Sequence, residues 1–457
     1  MTDRSSDVFE KASVAFKSGV TRSKAWRLGQ LRAIERLVRE EERELLGALD
    51  ADLGKPGVEA WLTDLASVTA ETIHMRKHLS QWMRPRYVWT GRANFPGLAW
   101  TVAEPRGTVL VISPWNYPVN LSLIPLAAAL SAGNSVVLKP SELTPATSAT
   151  LARLVGRYLD REAVTVVEGG VDVAKDLLDQ PFDHIFFTGS TTVGKSVMTA
   201  AAKHLASVTL ELGGKCPVIV AEDSDVQTAA RRIAWGKLVN SGQTCIAPDY
   251  VLVERGVSDE LIEGLIASME AMIGPDPTLT RTCIVNDGHL RRLESLLASS
   301  DGKTIFGGGS DHERLWMEPA IVVDPDAESE LMHDEIFGPI LPIVRVESID
   351  DALQFVSARP KPLALYLFTS SRTTEEYVLA RTSSGGVCIN HVMTQFVVPE
   401  LPFGGVGPSG AGAYHGRAGF EELSHRKGVL RRPTRPDPPF VYPPYGVWKE
   451  RLLRKLL

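Results

Sequence analysis

A cysteine among small residues and an acid beside glycines are the pair in this sequence that can do covalent chemistry together. Cys245 ends the segment Ser-Gly-Gln-Thr-Cys, and Glu211 lies 34 positions earlier in Leu-Glu-Leu-Gly-Gly-Lys. Small neighbours give a thiolate room for substrate, and free backbone N–H groups can hold an oxyanion. A carboxylate next to glycines can turn to take a proton. Either residue alone is more often structural, but the pair together with the motifs described below points to a thiol-based oxidoreductase.

Three consecutive side chains follow the first predicted buried strand, residues 108–112. Trp115, Asn116 and Tyr117 lie between two prolines just after that strand. Ligands of parallel α/β sheets bind beyond the carboxyl ends of the strands, and the Asn116 amide can donate to a negative oxygen. Alone, the segment is explained as well by a proline-bounded turn with packed aromatic rings.

Two pairs of residues suit the riboses of a dinucleotide. Lys139 and Glu142 follow the predicted strand 135–138 and can grip the two hydroxyls of an adenosine ribose, although a surface charge pair would look the same. Glu335 and Phe337 are an acid and an aromatic residue two apart, which can hold a nicotinamide ribose and ring. Without further context, an exposed acid and a core phenylalanine explain the second pair better.

A phosphate-binding turn is predicted where a strand ending near Phe187 gives way to a helix. Gly189, Ser190 and Gly194 are small residues there, so backbone N–H groups can meet a pyrophosphate at the helix N-terminus. The segment from Gly189 to Ser196 also fits the pattern of a nucleoside-triphosphate loop. No convincing second acid for Mg²⁺ accompanies it, and a plain strand–helix turn remains a third explanation.

The predicted elements place these residues in two α/β blocks. The chain up to about residue 83 is predicted to be helical, because apolar residues recur at steps of three and four, with a break at residues 54–57. From Gly107 strands and helices alternate, which implies a parallel sheet with right-handed crossovers. A second block, from about residue 212 to 412, has candidate strands at 218–220, 250–253, 321–323 and 364–368.

Segments outside the two blocks are predicted to be extended or irregular. Residues 87–103 mix aromatic residues with Gly and Pro, as in a hairpin or an extended arm, and residues 401–410 form a glycine-dense loop that lines a substrate funnel or is only a tight turn. Beyond Arg431 the chain is rich in proline, and residues 448–457 form a short basic amphipathic stretch.

Composition excludes several classes of protein. The 457 residues suggest two or three domains, with 44% apolar and 23% charged residues as in soluble globular proteins. A net charge of −6 gives no reason to expect nucleic acid as a partner. No apolar run approaches a membrane span or a signal peptide. The four cysteines lack metal-type spacing, so we expect no metal site, free thiols and a cytoplasmic location.

Seven motifs occur in the order found in aldehyde dehydrogenases, and the chain resembles that family over nearly its whole length. The motifs are PWNYP, KPSE, FTGSTTVGK, LELGGK, GQTC, EIFGP and PFGG. Their order makes the nucleoside-triphosphate pattern a coincidence of glycine spacing. The phrases CIAPDY, SSGGV and YHG resemble the class 3 branch, which acts on medium-chain, fatty and aromatic aldehydes and includes bacterial coniferyl aldehyde dehydrogenases.

The resemblance implies a role for each candidate residue. Cys245 is the nucleophile, Glu211 is the general base, and Asn116 with the backbone N–H of Cys245 forms the oxyanion hole. Tyr117 and Thr244 flank the aldehyde. The implied cofactor site consists of Trp115, Lys139, Glu142, Gly189, Ser190, Gly194, Glu335 and Phe337. Among these, Lys139 and Glu142 bind the adenosine ribose, Ser190 the pyrophosphate, and Glu335 and Phe337 the nicotinamide half.

The resemblance also implies an α/β architecture of three parts. A Rossmann-like NAD-binding domain comprises residues 1–80 and 104–211, and a second α/β catalytic domain comprises residues 212–412. A small bridging β arm combines residues 81–103 with 413–440, and residues 441–457 are a tail. In the family the arm pairs with another subunit, so a homodimer is expected.

The implied reaction is NAD(P)-dependent oxidation of a medium-chain aliphatic or aromatic aldehyde to the acid, through a thiohemiacetal and a thioester. Glu142 repels a 2′-phosphate, so NAD is expected to be preferred and NADP accepted. Asn390, His391 and Gln395 depart from the class 3 pattern near the substrate entrance, which leaves the substrate preference open.

Three other functions are compatible with parts of the sequence. Acyl transfer to coenzyme A would use the same cysteine, but acylating relatives generally lack an acid at the position of Glu211. Nucleoside-triphosphate hydrolysis would use Lys195 and Ser196. A binding protein on a borrowed fold would be expected to have lost at least one of the chemical residues.

Overall fold

The computed structural model describes residues 2–91, 94–274 and 282–456. Its first eighty or so residues are helical, because apolar residues at helical spacing give each helix one face to bury. This part contains α1 (Thr2–Lys17), α2 (Lys24–Glu40), α3 (Glu42–Leu53), α4 (Gly57–Ala60) and α5 (Ser67–Trp82), then the strands β1 (Arg86–Val88) and β2 (Leu98–Pro105). A π-helical segment, Trp61–Ala66, joins α4 to α5.

Strands and helices then alternate as the sequence predicts. The elements are β3 (Thr108–Ile112), α6 (Asn120–Ala132), β4 (Ser135–Lys139), α7 (Pro145–Tyr158), β5 (Val164–Val166), α8 (Val171–Leu178), β6 (His184–Thr188), α9 (Thr191–Ala202) and β7 (Ser207–Glu211). The central strands β3, β4 and β6 are buried along their whole length. Such continuous burial is typical of a parallel sheet covered on both faces.

The register of this sheet brings the candidate residues to one edge. The strands lie in the order β5, β4, β3, β6, β7, all parallel. Ile112 lies opposite Lys139 on one side and Phe187 on the other, and Thr188 lies opposite Glu211. The strand order reverses at β3, which is where ligands bind in sheets of this kind.

A second sheet is built by the rest of the α/β region. Its elements are β8 (Pro217–Val220), α10 (Val226–Leu238), β9 (Tyr250–Glu254), α11 (Ser258–Ile273), α12 (Asp287–Ala298), β10 (Lys303–Phe306), β11 (Ser310–Asp311), β12 (Trp316–Met317), β13 (Ala320–Val323), α13 (Glu330–His333), β14 (Ile340–Val346), α14 (Ile349–Ser357), β15 (Ala364–Phe368), α15 (Arg372–Arg381) and β16 (Gly386–Ile389). Seven strands follow the order β10, β13, β14, β9, β8, β15, β16, and only β10 among them is antiparallel to its neighbour.

The last elements tie the parts together. They are β17 (Gly410–Ala411), α16 (Gly416–Glu422), β18 (Ser424–Arg431) and α17 (Val447–Leu456). β18 pairs with β2, and β2 pairs with β1, in a three-stranded antiparallel sheet built from the predicted arm. β17 extends the first sheet by pairing with β7, although its residues fall in the range expected for the second domain. Among the described helices, none combines the length and the apolar character that a bilayer crossing requires.

Candidate active site

Cys245 and Glu211 line one cavity of about 310 Å³. Glu211 is the last residue of β7 in the first sheet, whereas Cys245 follows a 3₁₀ turn after α10 in the second unit. Tyr117 and Thr244 line the same cavity, and their hydroxyl oxygens are 2.5 Å apart. The structure therefore brings together the predicted nucleophile, the predicted base and both residues expected to flank the aldehyde.

The turn before Cys245 has an uncommon backbone conformation. Asn240, Ser241 and Gly242 have φ angles of 53°, 52° and 71°, in the left-handed region that side chains disfavour. Position 242 has no room for a side chain, because a Cβ on Gly242 would lie 2.3 Å from the carbonyl oxygen of Gly338. Such strain is kept where the surrounding structure over-determines the backbone, and it is common at functional sites.

Side-chain amides hold this turn in place. Asn240 donates from Nδ2 to the carbonyl oxygens of Asn116 and Gln243, each at 3.0 Å. Asn116 donates from its own Nδ2 to the Gln243 oxygen at 3.0 Å. An amide nitrogen has two hydrogens, so Asn116 keeps one for another acceptor. Asn116 is not among the described residues that line the 310 Å³ cavity, and its oxyanion role stays a prediction.

A buried ion pair that the sequence reasoning missed lies beneath Asn116. Lys55 Nζ is 2.8 Å from Asp64 Oδ2, and both side chains are fully buried. Lys55 also donates to the Asn116 carbonyl oxygen at 3.1 Å, and Asp64 accepts from the backbone N–H groups of Val119 and Asn120. The Gly-Lys-Pro-Gly turn gives no sign of this burial. Asp64 does give one, because it stands four residues before the buried Val68 on the apolar face of its helix.

The charges around the sulfur favour the neutral thiol. Burial, and then the carboxyl groups of Glu335 and Glu211, raise the pKa of Cys245. Burial, with a smaller effect from Glu422, raises the pKa of Glu211 well above its ordinary value. Both Glu211 carboxyl oxygens are buried and accept no hydrogen bond from the described residues. Both pKa shifts favour the protonated forms, so each group must release a proton before the sulfur can act as a nucleophile or the carboxyl group as a base.

The predicted adenosine site lies at the carboxyl edge of the first sheet. Lys139 is the last residue of β4, its side chain is buried, and its Nζ is 2.8 Å from Glu142 Oε2. Burial alone would raise the pKa of Glu142, but the hydrogen bond and charge of Lys139 lower it overall. Ser190 is the exposed N-cap of α9 and accepts from the Val193 N–H. Helix N-termini of this kind bind phosphate groups.

The two glycines near Ser190 have packing roles of their own. A Cβ at Gly189 would lie 2.5 Å from the ring of Phe187, and one at Gly194 would lie 2.6 Å from Leu212 Cδ2. Gly194 and Lys195 lie inside α9 rather than in a loop before it. This geometry differs from a nucleoside-triphosphate loop, whose Lys follows the turn directly, and a cofactor role for both glycines stays a prediction.

The residues predicted for the nicotinamide half come together across the two sheets. The rings of Trp115 and Phe337 meet edge to face with centroids 5.4 Å apart. Glu335 packs against Gly213, where a Cβ would lie 1.9 Å from its Oε2. Burial, and then the charge of Asp249, raise the pKa of Glu335 to about 8. Its Oε1 is buried and accepts no hydrogen bond from the described residues, so it fits a ligand hydroxyl.

A second buried network holds the Glu335 segment. Lys215 Nζ is 2.8 Å from Asp249 Oδ2 and donates to the carbonyl oxygens of Leu331 and Asp334. Asp249 accepts from the backbone N–H of Ile336. The sequence alone predicts no role for Lys215 of the Leu-Glu-Leu-Gly-Gly-Lys motif. In the structure, Lys215 anchors the backbone that leads into Glu335.

The remaining walls of the cavity are mainly apolar. Trp235, Phe396 and Tyr414 line it, although the sequence alone did not suggest them. Phe403 also lines it and lies in the loop 401–410, for which a substrate funnel was one of two predictions. The glycine-dense loop therefore contributes a wall through Phe403. The departures from the class 3 pattern, at Asn390, His391 and Gln395, lie next to or within the segment 393–397, which lines the cavity. Asn390 has a structural role, since its amide pairs with the backbone N–H and C=O of Thr369.

Comparisons with known proteins agree with this geometry. Residues 3–429 match the aldehyde dehydrogenase family. The chain is 45% identical to the dimeric NADP-preferring aldehyde dehydrogenase of Rattus norvegicus, covering 93% of this chain and 94% of the relative. It is 44% identical to the chloroplastic aldehyde dehydrogenase family 3 member I1 of Arabidopsis thaliana, covering 97% of this chain and 81% of that one.

A solved structure has the same fold across the whole chain. The substrate-bound state of Staphylococcus aureus AldH superposes with a TM-score of 0.95, at 39% identity and with 98% of both chains covered. The resemblance drawn from the seven motifs, the α/β fold and the reaction type are thereby confirmed. The chain belongs to the aldehyde dehydrogenase family, with relatives in its class 3 branch, and is an oxidoreductase that acts on aldehydes with NAD(P).

Proposed function

We propose that Cys245 carries the acyl group and that Glu211 activates water in the oxidation of an aldehyde to its acid. One observation carries the proposal. The Cys245 sulfur and the Glu211 carboxyl group line the same mainly apolar cavity. The carboxyl oxygens have no hydrogen-bond partner among the described residues.

The first step is addition of the sulfur to the carbonyl carbon. The Cys245 thiol releases its proton to solvent, the electron pair of the sulfur forms a C–S bond with the carbonyl carbon, and the carbonyl π pair moves to the oxygen. The free N–H of Asn116 and the backbone N–H of Cys245 stabilise this alkoxide. Each such donor contributes on the order of 3 kcal/mol.

The residues that would hold the cofactor are Lys139, Glu142, Ser190, Glu335 and Phe337. When bound, its nicotinamide ring supplies the acceptor for a hydride from the substrate carbon. Loss of that hydride and collapse of the alkoxide leave a thioester on Cys245. Glu211 takes a proton from water as the water oxygen adds to the thioester. The C–S bond then breaks and the carboxylic acid leaves, while the sulfur keeps the electron pair and takes the proton that Glu211 holds.

Two substitutions test these roles. Cys245→Ala is expected to abolish NADH formation, whereas the matched variant Cys283→Ala keeps it, because Cys283 lies outside the cavity. Glu211→Gln is expected to retain a first burst of NADH and to slow turnover by about 10²–10⁴-fold. Full activity of Cys245→Ala contradicts the mechanism, and a requirement for coenzyme A in the assay favours acyl transfer instead.

The substrate class that suits this cavity is a medium-chain aliphatic or aromatic aldehyde. Trp235, Phe396 and Phe403 offer aromatic walls, and burial of apolar surface favours a long or planar substrate over a short one. kcat/KM measured across aliphatic chain lengths and cinnamyl-type aldehydes should rise with apolar size. A maximum at acetaldehyde would refute this preference.

NAD is proposed as the preferred cofactor, with NADP also used. The Glu142 carboxylate stays ionised beside Lys139 and repels a 2′-phosphate, while Lys139 offsets part of that repulsion. The rat relative's name states an NADP preference. Measuring kcat/KM with each cofactor therefore tests whether this enzyme differs from that relative. We expect kcat/KM to be higher with NAD, and Glu142→Gln to shift the ratio towards NADP. An NADP preference in the unmodified enzyme would contradict the proposal.

A homodimer in the cytoplasm is the assembly and location we propose. The strand β1 is an exposed edge, and Tyr87, Trp89 and Phe95 near it are 71%, 79% and 71% exposed. Exposed edges and apolar patches favour association.

The four free cysteines support a reducing compartment. Imaging of a fluorescent fusion tests the location, and organelle import would overturn it.

A further inference from the structure

Two histidines and a glutamate lie together on the outer side of the cavity wall. His74 and His78 are one turn apart on α5, and Glu400 follows the segment that contains Phe396 and Val397. The ligand atoms of the three side chains all lie within 4.8 Å of one another, and His74 Nε2 is 3.8 Å from Glu400 Oε1. Local sequence patterns do not reveal this cluster, because more than 320 residues separate Glu400 from the two histidines.

From this arrangement we propose that His74, His78 and Glu400 bind a first-row transition-metal ion such as Zn²⁺, which fastens the wall segment 394–401 to α5. Two imidazoles and one carboxylate are a common ligand set for Zn²⁺, with open positions left for water. Tetrahedral bonds of 2.0–2.2 Å place ligand atoms about 3.4 Å apart. Ligand atoms up to 4.8 Å apart therefore need to approach by up to about 1.4 Å. The Glu400 side chain, 77% exposed, can move towards the two histidines.

The hydrogen bonding already prepares one histidine for a metal. His78 Nδ1 is 2.9 Å from the carbonyl oxygen of His74. A carbonyl oxygen only accepts, so Nδ1 carries the proton and Nε2 presents its lone pair. Backbone carbonyls orient metal-binding histidines in this way in many proteins. Gly416, with φ of 44°, keeps the approach to His74 open, since a Cβ there would lie 3.3 Å from His74 Nε2.

A second histidine cluster, around His312, consists of ion pairs and does not suit a metal ion. His312 contacts Asp287 through Nδ1 at 2.6 Å and Glu294 through Nε2 at 3.0 Å. Both ring nitrogens face carboxylates there, and those contacts raise the pKa of His312. That cluster is a set of surface ion pairs with no nitrogen left for a metal, whereas His78 keeps one.

The three proposed metal ligands lie on two segments that also line the substrate cavity. Ser67, the first residue of α5, lines the 310 Å³ cavity, and so do Phe396 and Val397, which lie four and three residues before Glu400. An ion held by α5 and Glu400 would therefore join two walls of the substrate cavity. It would reduce opening of the wall segment without contacting the thiol.

Zn²⁺ titration of the full chain tests the site. The titration uses Cys245→Ser protein, because the reactive thiol could itself bind Zn²⁺. We expect one ion per chain, with affinity at least about tenfold weaker in His74→Ala and His78→Ala. His425→Ala is the matched control, since His425 is exposed on β18. Unchanged melting temperatures in EDTA would show that the variants fold.

Spectroscopy and hydrogen exchange decide the ligands and the fastening. Bound Co²⁺ should show visible d–d bands without a sulfur-to-metal charge-transfer band, and Zn²⁺ should slow amide exchange in residues 394–401 only while both histidines are present. Absence of binding, equal binding by the His74→Ala/His78→Ala variant, or a thiolate band would overturn the metal site. Binding without slowed exchange would overturn the fastening.

Discussion

The acids of this protein show how burial and partners set the chemistry of a single residue. Glu142 is partly exposed and paired with Lys139, and its pKa is lowered. Glu211 and Glu335 have buried oxygens without a hydrogen-bond partner among the described residues, and their pKa values are raised. The charged partner thus lowers the pKa of Glu142, whereas burial raises the pKa values of Glu211 and Glu335.

A pair of asparagine substitutions separates catalysis from stability at this scale. Asn116→Ala removes a proposed oxyanion donor, so kcat should fall by about 10²–10³-fold. Asn286→Ala removes the cap of α12, where the side chain accepts from the His289 N–H, and should cost about 1 kcal/mol of stability with kcat unchanged. Steady-state kinetics and urea unfolding of both variants check this, and an Asn116→Ala enzyme with normal kcat would exclude the donor role.

Glu335 should make stability depend on pH. Its pKa is raised from 4.5 to about 8 in the folded protein. Between these values the unfolded chain binds fewer protons than the folded one, so its contribution to the free energy of unfolding falls as pH rises through this window. The melting temperature of Glu335→Gln should therefore exceed that of the parent protein at pH 9, and the difference should be smaller at pH 5. Equal differences in calorimetry at both pH values would contradict the buried acid.

At the scale of elements, a buried ion pair joins pieces that are far apart in sequence. Lys55 lies in the turn after α3, and Asp64 lies in the π-helical segment before α5 and accepts from N–H groups at the start of α6. The same lysine holds the carbonyl of Asn116. The loop that presents Asn116 is thus set by the helical layer as well as by the strand it follows.

Breaking that pair should be costly, while replacing it should not. Lys55→Met leaves Asp64 charged and buried, and should lower the free energy of unfolding by about 3–5 kcal/mol. Lys55→Met with Asp64→Leu should recover part of this loss. Arg153→Met, which breaks the exposed pair with Glu44, should change stability by about 1 kcal/mol or less. If Lys55→Met unfolds at the parent urea concentration, the pair is not structural.

At the scale of the whole molecule, the cavity belongs to neither sheet alone. The first sheet contributes Glu211, the second unit contributes Cys245, and the three-stranded sheet of β1, β2 and β18 spans residues distant in sequence. That small sheet leaves β1 as an exposed edge beside aromatic side chains.

Association should therefore depend on the arm. Tyr87→Asp with Trp89→Asp places charges where a partner would cover apolar rings, so light scattering should report a shift from twice the chain mass towards the chain mass. Leu205→Asp is the control, because Leu205 is 94% exposed at a different surface. A parent protein that is already monomeric, or an arm variant that stays dimeric, would contradict this interface.

The sequence by itself determined the family and the order of the elements, and it singled out Cys245 and Glu211 as candidates for the chemistry. Those follow from local patterns, since strand and helix periodicities and short motifs are written in neighbouring residues. The tertiary structure alone decided that Lys55 and Asp64 support Asn116, that Lys215 holds the Glu335 segment, and that His74 and His78 meet Glu400. These contacts join side chains tens to hundreds of residues apart, and a charge in a turn looks the same in the sequence whether the fold buries it or exposes it.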